Sequence, residues 1–183
     1  MISDPLTTQI SVFITAVVAL IISKKWLNKD LSAFRVKFEL KPWFFIPLLA
    51  IIVIDLAFIS FHEVTSGYGL VEKLVSCFVA PVTEETLYRG FLIGVFIEKF
   101  FRKPGFFKKK NAWLFKLIAS GWVLIVSVLF VLAHDPTTVS SFLFYFTRSL
   151  IYAAAYLFNK NNLLPAILAH AAHNITMTTA AGF

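Results

Sequence analysis

Leu74-Val75-Ser76-Cys77-Phe78-Val79-Ala80-Pro81-Val82-Thr83-Glu84-Glu85-Thr86-Leu87-Tyr88-Arg89-Gly90-Phe91-Leu92-Ile93-Gly94-Val95-Phe96-Ile97 is the stretch on which the fold turns. Apolar residues flank Glu84 through Arg89 on both sides, so two carboxylates and a guanidinium sit in the middle of a hydrophobic run. On insertion scales a charge at the centre of a bilayer helix costs roughly 2.5–3.5 kcal/mol. Three such charges need partners, and usually a task.

The rest of the chain supports a membrane setting. Of 183 residues, 58% are hydrophobic and 15% charged, with 21 phenylalanines, too few charges to cover a water-facing surface. The apolar residues fall into blocks near the ~20 residues a bilayer crossing needs. We read six spans, at about 7–23, 43–61, 74–98, 117–134, 137–158 and 163–182. Each has to be helical, because a spanning segment must satisfy its own backbone hydrogen bonds. The expected fold is an all-α, polytopic membrane bundle forming one domain over residues 1–183. The short Asp135-Pro136 turn makes the fourth and fifth spans adjacent and antiparallel. The first span lacks a basic start and a small-residue cleavage site, so it reads as a retained helix and not a signal peptide. The lone Cys77 excludes an intrachain disulfide.

The net charge of +7 is a matter of position. Lys24, Lys25, Lys29, Arg35, Lys37 and Lys41 lie between spans one and two. Lys99, Arg102, Lys103, Lys108, Lys109, Lys110 and Lys116 lie between spans three and four, and Lys160 between five and six. The opposite loops carry only Lys73. This is a positive-inside pattern. It predicts cytoplasmic basic loops touching anionic lipid headgroups, both termini outside, and no nucleic-acid role.

Inside the spans the ionisable residues are Asp55, Glu84, Glu85, Arg89, Arg148, His134, His170 and His173, with His62 in an outer loop. Glu85 and Arg89, four apart, share a helix face, as do Phe130 with His134 and His170 with Asn174. Glu84 is turned ~100° from Glu85 on a regular helix, so it cannot share Arg89 equally. If Arg148 pairs with Asp55, one carboxyl is still left without an arginine. It must be protonated, hydrated, or bound to a metal or an imidazolium, which nominates Glu84 as a general base. Neutral histidines can orient water or bind Zn²⁺, and an asparagine can donate to an oxyanion without adding charge. The polar faces of three helices are expected to converge. For His134, at the outer end of its span, to reach Glu84, the fourth helix must be shifted or its turn tucked in. His173 reads as packing or as a partner to the site. Asp55 and Arg148 read either as an ion pair or as substrate-path residues.

Glu84-Glu85-x-x-x-Arg89, Phe130-x-x-x-His134 and His170-x-x-x-Asn174, in that order on hydrophobic helices, resemble the three motifs of the CAAX-processing and bacteriocin-processing (CPBP, or Abi) intramembrane protease family. The likeness covers a core of about 74–182. It implies a glutamate-dependent or metal-assisted endopeptidase acting on a membrane-associated peptide or protein, with CAAX-type or bacteriocin-leader processing as its reaction. By that resemblance Glu84 activates water, His134 and His170 hold water or, with Glu84, a zinc or other divalent ion, Asn174 stabilises the oxyanion, and Glu85 and Arg89 support the site. The other reading is a non-proteolytic protein of the bacterial cell membrane that confers bacteriocin self-immunity by binding a bacteriocin or its receptor.

Overall fold

The computed structural model describes residues 5–26, 32–39, 41–61, 69–97 and 112–181. Among them are six long helical runs and no strand. They are α1 (Pro5–Trp26), α2 (Pro42–Phe61), α3 (residues 70–97), α4 (Ala112–Leu132), α5 (Val139–Phe158) and α6 (Leu163–Ala180). Every expected span becomes a helix. The starts of α3 and α4 differ most, at Leu70 where 74 was expected and at Ala112 where 117 was. Both extensions carry a lysine, Lys73 or Lys116. The exposed Lys116 fits this, since a long basic side chain lets a helix run past the apolar zone while its charge reaches water, whereas Lys73 is buried. His62, Lys29 and the basic residues from Lys99 to Lys110 lie outside the described residues.

Polarity is arranged inside out. Asp55, Glu85 and Arg89 are fully buried and Arg148 is 1% exposed, while Phe13, Ile21, Leu49, Val53, Leu117 and Leu129 face outward. A water-soluble domain does the reverse. Three helical segments, Pro42–Ser60, Trp113–Leu132 and Val139–Phe158, are by themselves long and apolar enough to cross a membrane. α3 and α6 carry most of the buried ionisable groups, and α2 and α5 add Asp55 and Arg148. The protein is an integral membrane helix bundle.

α2 packs most extensively on α6, and α5 packs on both α4 and α6. Small residues at these seams, Ala153, Ala155, Ala166 and Ala169, are essentially inaccessible and let the helix backbones approach closely. Ile51, Ile93, Val126, Phe130, Tyr152, Tyr156 and Leu163 fill the core between them.

The connection from α1 to α2 is built into the bundle. Its 3₁₀ turn, Ser32–Phe34, lies on α3 over Gly90 and Gly94. A Cβ on Gly90 would meet the Phe34 ring at 2.6 Å, and one on Gly94 would meet Ala33 Cβ at 2.8 Å and the Tyr156 hydroxyl. Tyr156 donates to Ala33 O at 2.8 Å. Asn162, at the α5–α6 turn, holds both sides of the Lys37 residue: its Nδ2 donates to Lys37 O at 2.6 Å and its Oδ1 accepts from Lys37 N at 2.9 Å. Leu163 N donates to Arg35 O at 2.7 Å. The sequence shows this segment only as a basic loop; the fold makes it a strap.

Candidate active site

α3 is not a uniform α-helix. Val75–Val79 and Thr86–Val95 are π-helical, and Ala80–Glu85 between them is α-helical. Pro81 gives a local reason for the first irregularity. Ala80 N–H bonds Val75 O, one residue beyond the α register. In that register Ser76 O looks to Pro81, which has no N–H. Asn174 supplies the missing donor from α6, its Nδ2 reaching Ser76 O at 2.6 Å. Wide turns of this kind cluster at functional sites, and here they bracket both glutamates.

Glu85 and Arg89 form a fully buried pair, with Nε to Oε2 at 3.1 Å and Nη1 to Oε1 at 3.3 Å. Arg89 Nη2 also donates to Ser149 O at 2.9 Å and to Ser149 Oγ at 2.8 Å, which ties α3 to α5. Its guanidinium lies 4.6 Å from the centre of the Phe130 ring and 5.3 Å from that of Tyr152. Phe130 also packs against His134 at 4.4 Å and His170 at 5.9 Å between ring centres. It is the wedge around which the charged groups are placed.

Glu84 faces the two imidazoles. His134 Nε2 is 3.6 Å from its Oε2, and His170 Nε2 is 3.9 Å from the same oxygen. The other nitrogen of each ring is already committed. His134 Nδ1 lies 2.8 Å from Phe130 O, and a carbonyl can only accept, so Nδ1 carries the proton. His170 Nδ1 lies 2.8 Å from Glu85 Oε1 and donates to it. In their neutral forms both rings therefore turn an Nε2 lone pair toward Glu84. Tyr152 stacks on His170 with ring centres 4.9 Å apart and planes 12° apart, which fixes the tilt of that ring. Glu84 and His170 are buried, whereas the His134 side chain is 25% exposed and marks the way in.

The position of α4 explains how His134 reaches Glu84. Trp122 Nε1 donates to Leu92 O at 2.6 Å, and its ring stacks on Phe96 at 4.0 Å. α4 therefore runs antiparallel to α3 with its C-terminal end level with the middle of α3. Asp135, in the left-handed region at φ 46°, turns the chain at that level. Thr138 then caps α5 through a reciprocal pairing with Ser141. The halves of α3 and α6 that hold Ser76 and Asn174 rise past this turn.

A second buried cluster lies one helical turn along α6. Asp55 of α2 pairs with Arg148 of α5, and its Oδ2 is 3.0 Å from His173 Nδ1. Arg148 Nε is 3.1 Å from that same Nδ1, so the ring serves either as donor to Asp55 or as acceptor from Arg148. Arg148 Nη1 donates to Phe144 O at 3.0 Å. His173 thus faces Asp55 and Arg148, while His170 faces the glutamates.

Ser149, Tyr152 and Tyr145, whose ring centre lies 4.8 Å from that of His134, contribute to the site without having been singled out from the sequence. A signal was there: Tyr145, Arg148, Ser149, Tyr152 and Tyr156 repeat at helical spacing as a polar stripe on an otherwise oily helix.

Two imidazoles and a carboxylate are the donor types of a catalytic zinc centre. Among the described residues, however, no group of three His, Cys, Asp or Glu side chains is drawn closely enough together to hold an ion. At 3.6 and 3.9 Å, the separations from Glu84 Oε2 to the two Nε2 atoms are longer than direct hydrogen bonds.

The fold and the site together define a polytopic membrane protein with an acid–imidazole centre buried among its helices. A family model for Rce1-like type II CAAX prenyl endopeptidases matches residues 65–176, more than half of the chain and a range that includes every residue of the three motifs. The chain belongs to this family. Membership implies intramembrane endopeptidase activity of the CAAX type. No curated protein and no solved structure matches it.

Proposed function

We propose that this protein cleaves a peptide bond in a membrane-held substrate, of the CAAX or leader-peptide kind, with Glu84 as the base that activates water. The observation carrying this reading is that two Nε2 atoms from different helices face one carboxylate oxygen, at 3.6 and 3.9 Å. A water seated there finds an acceptor for one proton in Glu84 and for the other in an imidazole. Its oxygen lone pair is then left for the scissile carbonyl carbon. As the C–O bond forms, one water proton passes to Glu84. As the C–N bond breaks, that proton passes to the leaving amine. The Nδ1 anchors on Phe130 O and on Glu85 keep both rings in the tautomer this requires. Asn174 spends one amide hydrogen on Ser76 O and keeps the second for the developing oxyanion.

Glu85 and Arg89 position the site: they fix His170 and join α3 to α5. The donor types also support a divalent-metal version of the site, with Glu84, His134 and His170 as ligands. The distribution of basic residues supports cytoplasmic basic loops and external termini in a bacterial cell membrane.

The test is cleavage of a farnesylated peptide ending in a CAAX sequence, and of a leader-type membrane peptide, by purified protein in vesicles. Metal content is measured on the same sample. Glu84→Gln should lose at least ~10³-fold in turnover while melting like the parent. Wild-type rates in Glu84→Gln would overturn the mechanism. Cells still shielded from a bacteriocin by Glu84→Gln would assign the protein to immunity by binding.

A further inference from the structure

We infer that the protein has a binding site for an anionic phospholipid, separate from the proteolytic centre. A crevice of about 650 Å³ opens between the C-terminal half of α3, the N-terminal half of α4 and the C-terminal half of α5. That is the size of a small-molecule site, about 300–1,000 Å³. Its walls are mostly apolar along their whole length, and the polar side chains lie toward one end. Val123, Leu150 and Ala154 line the part deeper in the bundle. Lys116, Ser120 and Asn161 gather toward the other end, where α4 begins and the α5–α6 turn lies. Lys116 and Ser120 are four apart and share one helix face. Leu124 and Phe158, 48% and 78% exposed, also line the crevice and leave it open toward the surrounding lipid.

The occupant follows from this layout. An apolar trough with a cation and two hydrogen-bonding side chains at one end matches a hydrocarbon tail joined to a phosphate. A soluble anion would not fill the apolar part, and a neutral lipid would make no use of Lys116. The cation lies at the end of the bundle where the sequence clusters its basic residues, which is the end anionic headgroups favour. The crevice is not the catalytic site. Trp122, beside the Val123 wall, is level with Leu92 and Phe96, two to three turns along α3 from Glu84.

The experiment reconstitutes the full chain in vesicles of phosphatidylcholine mixed equally with phosphatidylglycerol, then counts retained lipid by native mass spectrometry. Wild type should retain one phosphatidylglycerol in preference to phosphatidylcholine. Lys116→Glu should weaken that retention on the order of tenfold with phosphatidylcholine unaffected. Ala154→Phe, which fills the trough, should abolish it. Lys116→Gln is a milder variant, expected to fall between wild type and Lys116→Glu, and melting curves verify that each variant is folded. Equal retention of the two lipids by wild type, or no effect of Lys116→Glu in a folded protein, overturns the proposal. So does displacement of the lipid by a farnesylated peptide, which would make the crevice a seat for the substrate's tail. Glu84→Gln should bind the phospholipid like wild type, so failure of the proteolytic reading leaves this result intact.

Discussion

Glu84 and Glu85 are neighbours with opposite environments. Glu85 is fully enclosed by Arg89 and His170, while Glu84 shares its Oε2 surroundings with two ring nitrogens and the more open His134. The two are expected to fail differently. Glu85→Gln removes the charge that Arg89 neutralises, and breaking a buried pair costs about 3–5 kcal/mol. Thermal melting in detergent should therefore fall sharply for Glu85→Gln and hardly at all for Glu84→Gln. Arg89→Lys should not restore stability, because an ammonium cannot reproduce the fork that holds both Glu85 and Ser149. The motif residues were legible in the sequence because charge in an oily helix is conspicuous, and four-residue spacing gave the Glu85–Arg89 pair. His134 and His170 were expected beside Glu84, but how His134 comes level with it was not legible. It depends on the relative height of α4 and α3, which no local pattern encodes.

The helices themselves were the most readable element, since an apolar block of about 20 residues crosses a membrane as a helix that satisfies its own backbone. The π-helical turns of α3 were not readable, because they follow from where hydrogen-bond partners happen to lie. They yield a specific coupling. Asn174→Ala should leave Ser76 O unpaired at a cost of about 1–3 kcal/mol. Pro81→Ala restores an N–H that can take its place, so the double variant should lose less stability than the two single losses summed. A double-mutant cycle on melting measures that coupling, and strict additivity would refute it. The Gly90–Gly94 face of α3 gives a second check. Gly94→Val pushes against Ala33 and Tyr156 and should cost about 1–3 kcal/mol by overpacking.

Across the whole molecule, two buried polar clusters are strung along α5 and α6, one built on the glutamates and the other on Asp55 and Arg148. Pairing of Asp55 with Arg148 was one of two readings open from the sequence, and the fold adopts it with His173 as third member. Asp55→Leu alone should be severely destabilising, because it strands Arg148. Asp55→Leu combined with Arg148→Met should recover much of the loss, read as a rise in melting temperature over the single variant. The strap between α1 and α2 was the part least visible in the sequence. Its basic residues announce a surface loop, and only the later Asn159–Asn162 turn reveals what it binds.

That strap also sets an order in time. Lys37 and its partner Asn162 are separated by 125 positions along the chain. At ~5–20 residues added per second, roughly 6–25 s pass between synthesis of the two. Until then the strap can lie on α3 but lacks its fastening at the α5–α6 turn. The knot that secures the strap and the ring of His170, proposed to complete the reactive centre, arrive on the same stretch of chain. On the proposed mechanism, proteolytic chemistry therefore waits for α6, the same helix whose leading turn ties down the strap.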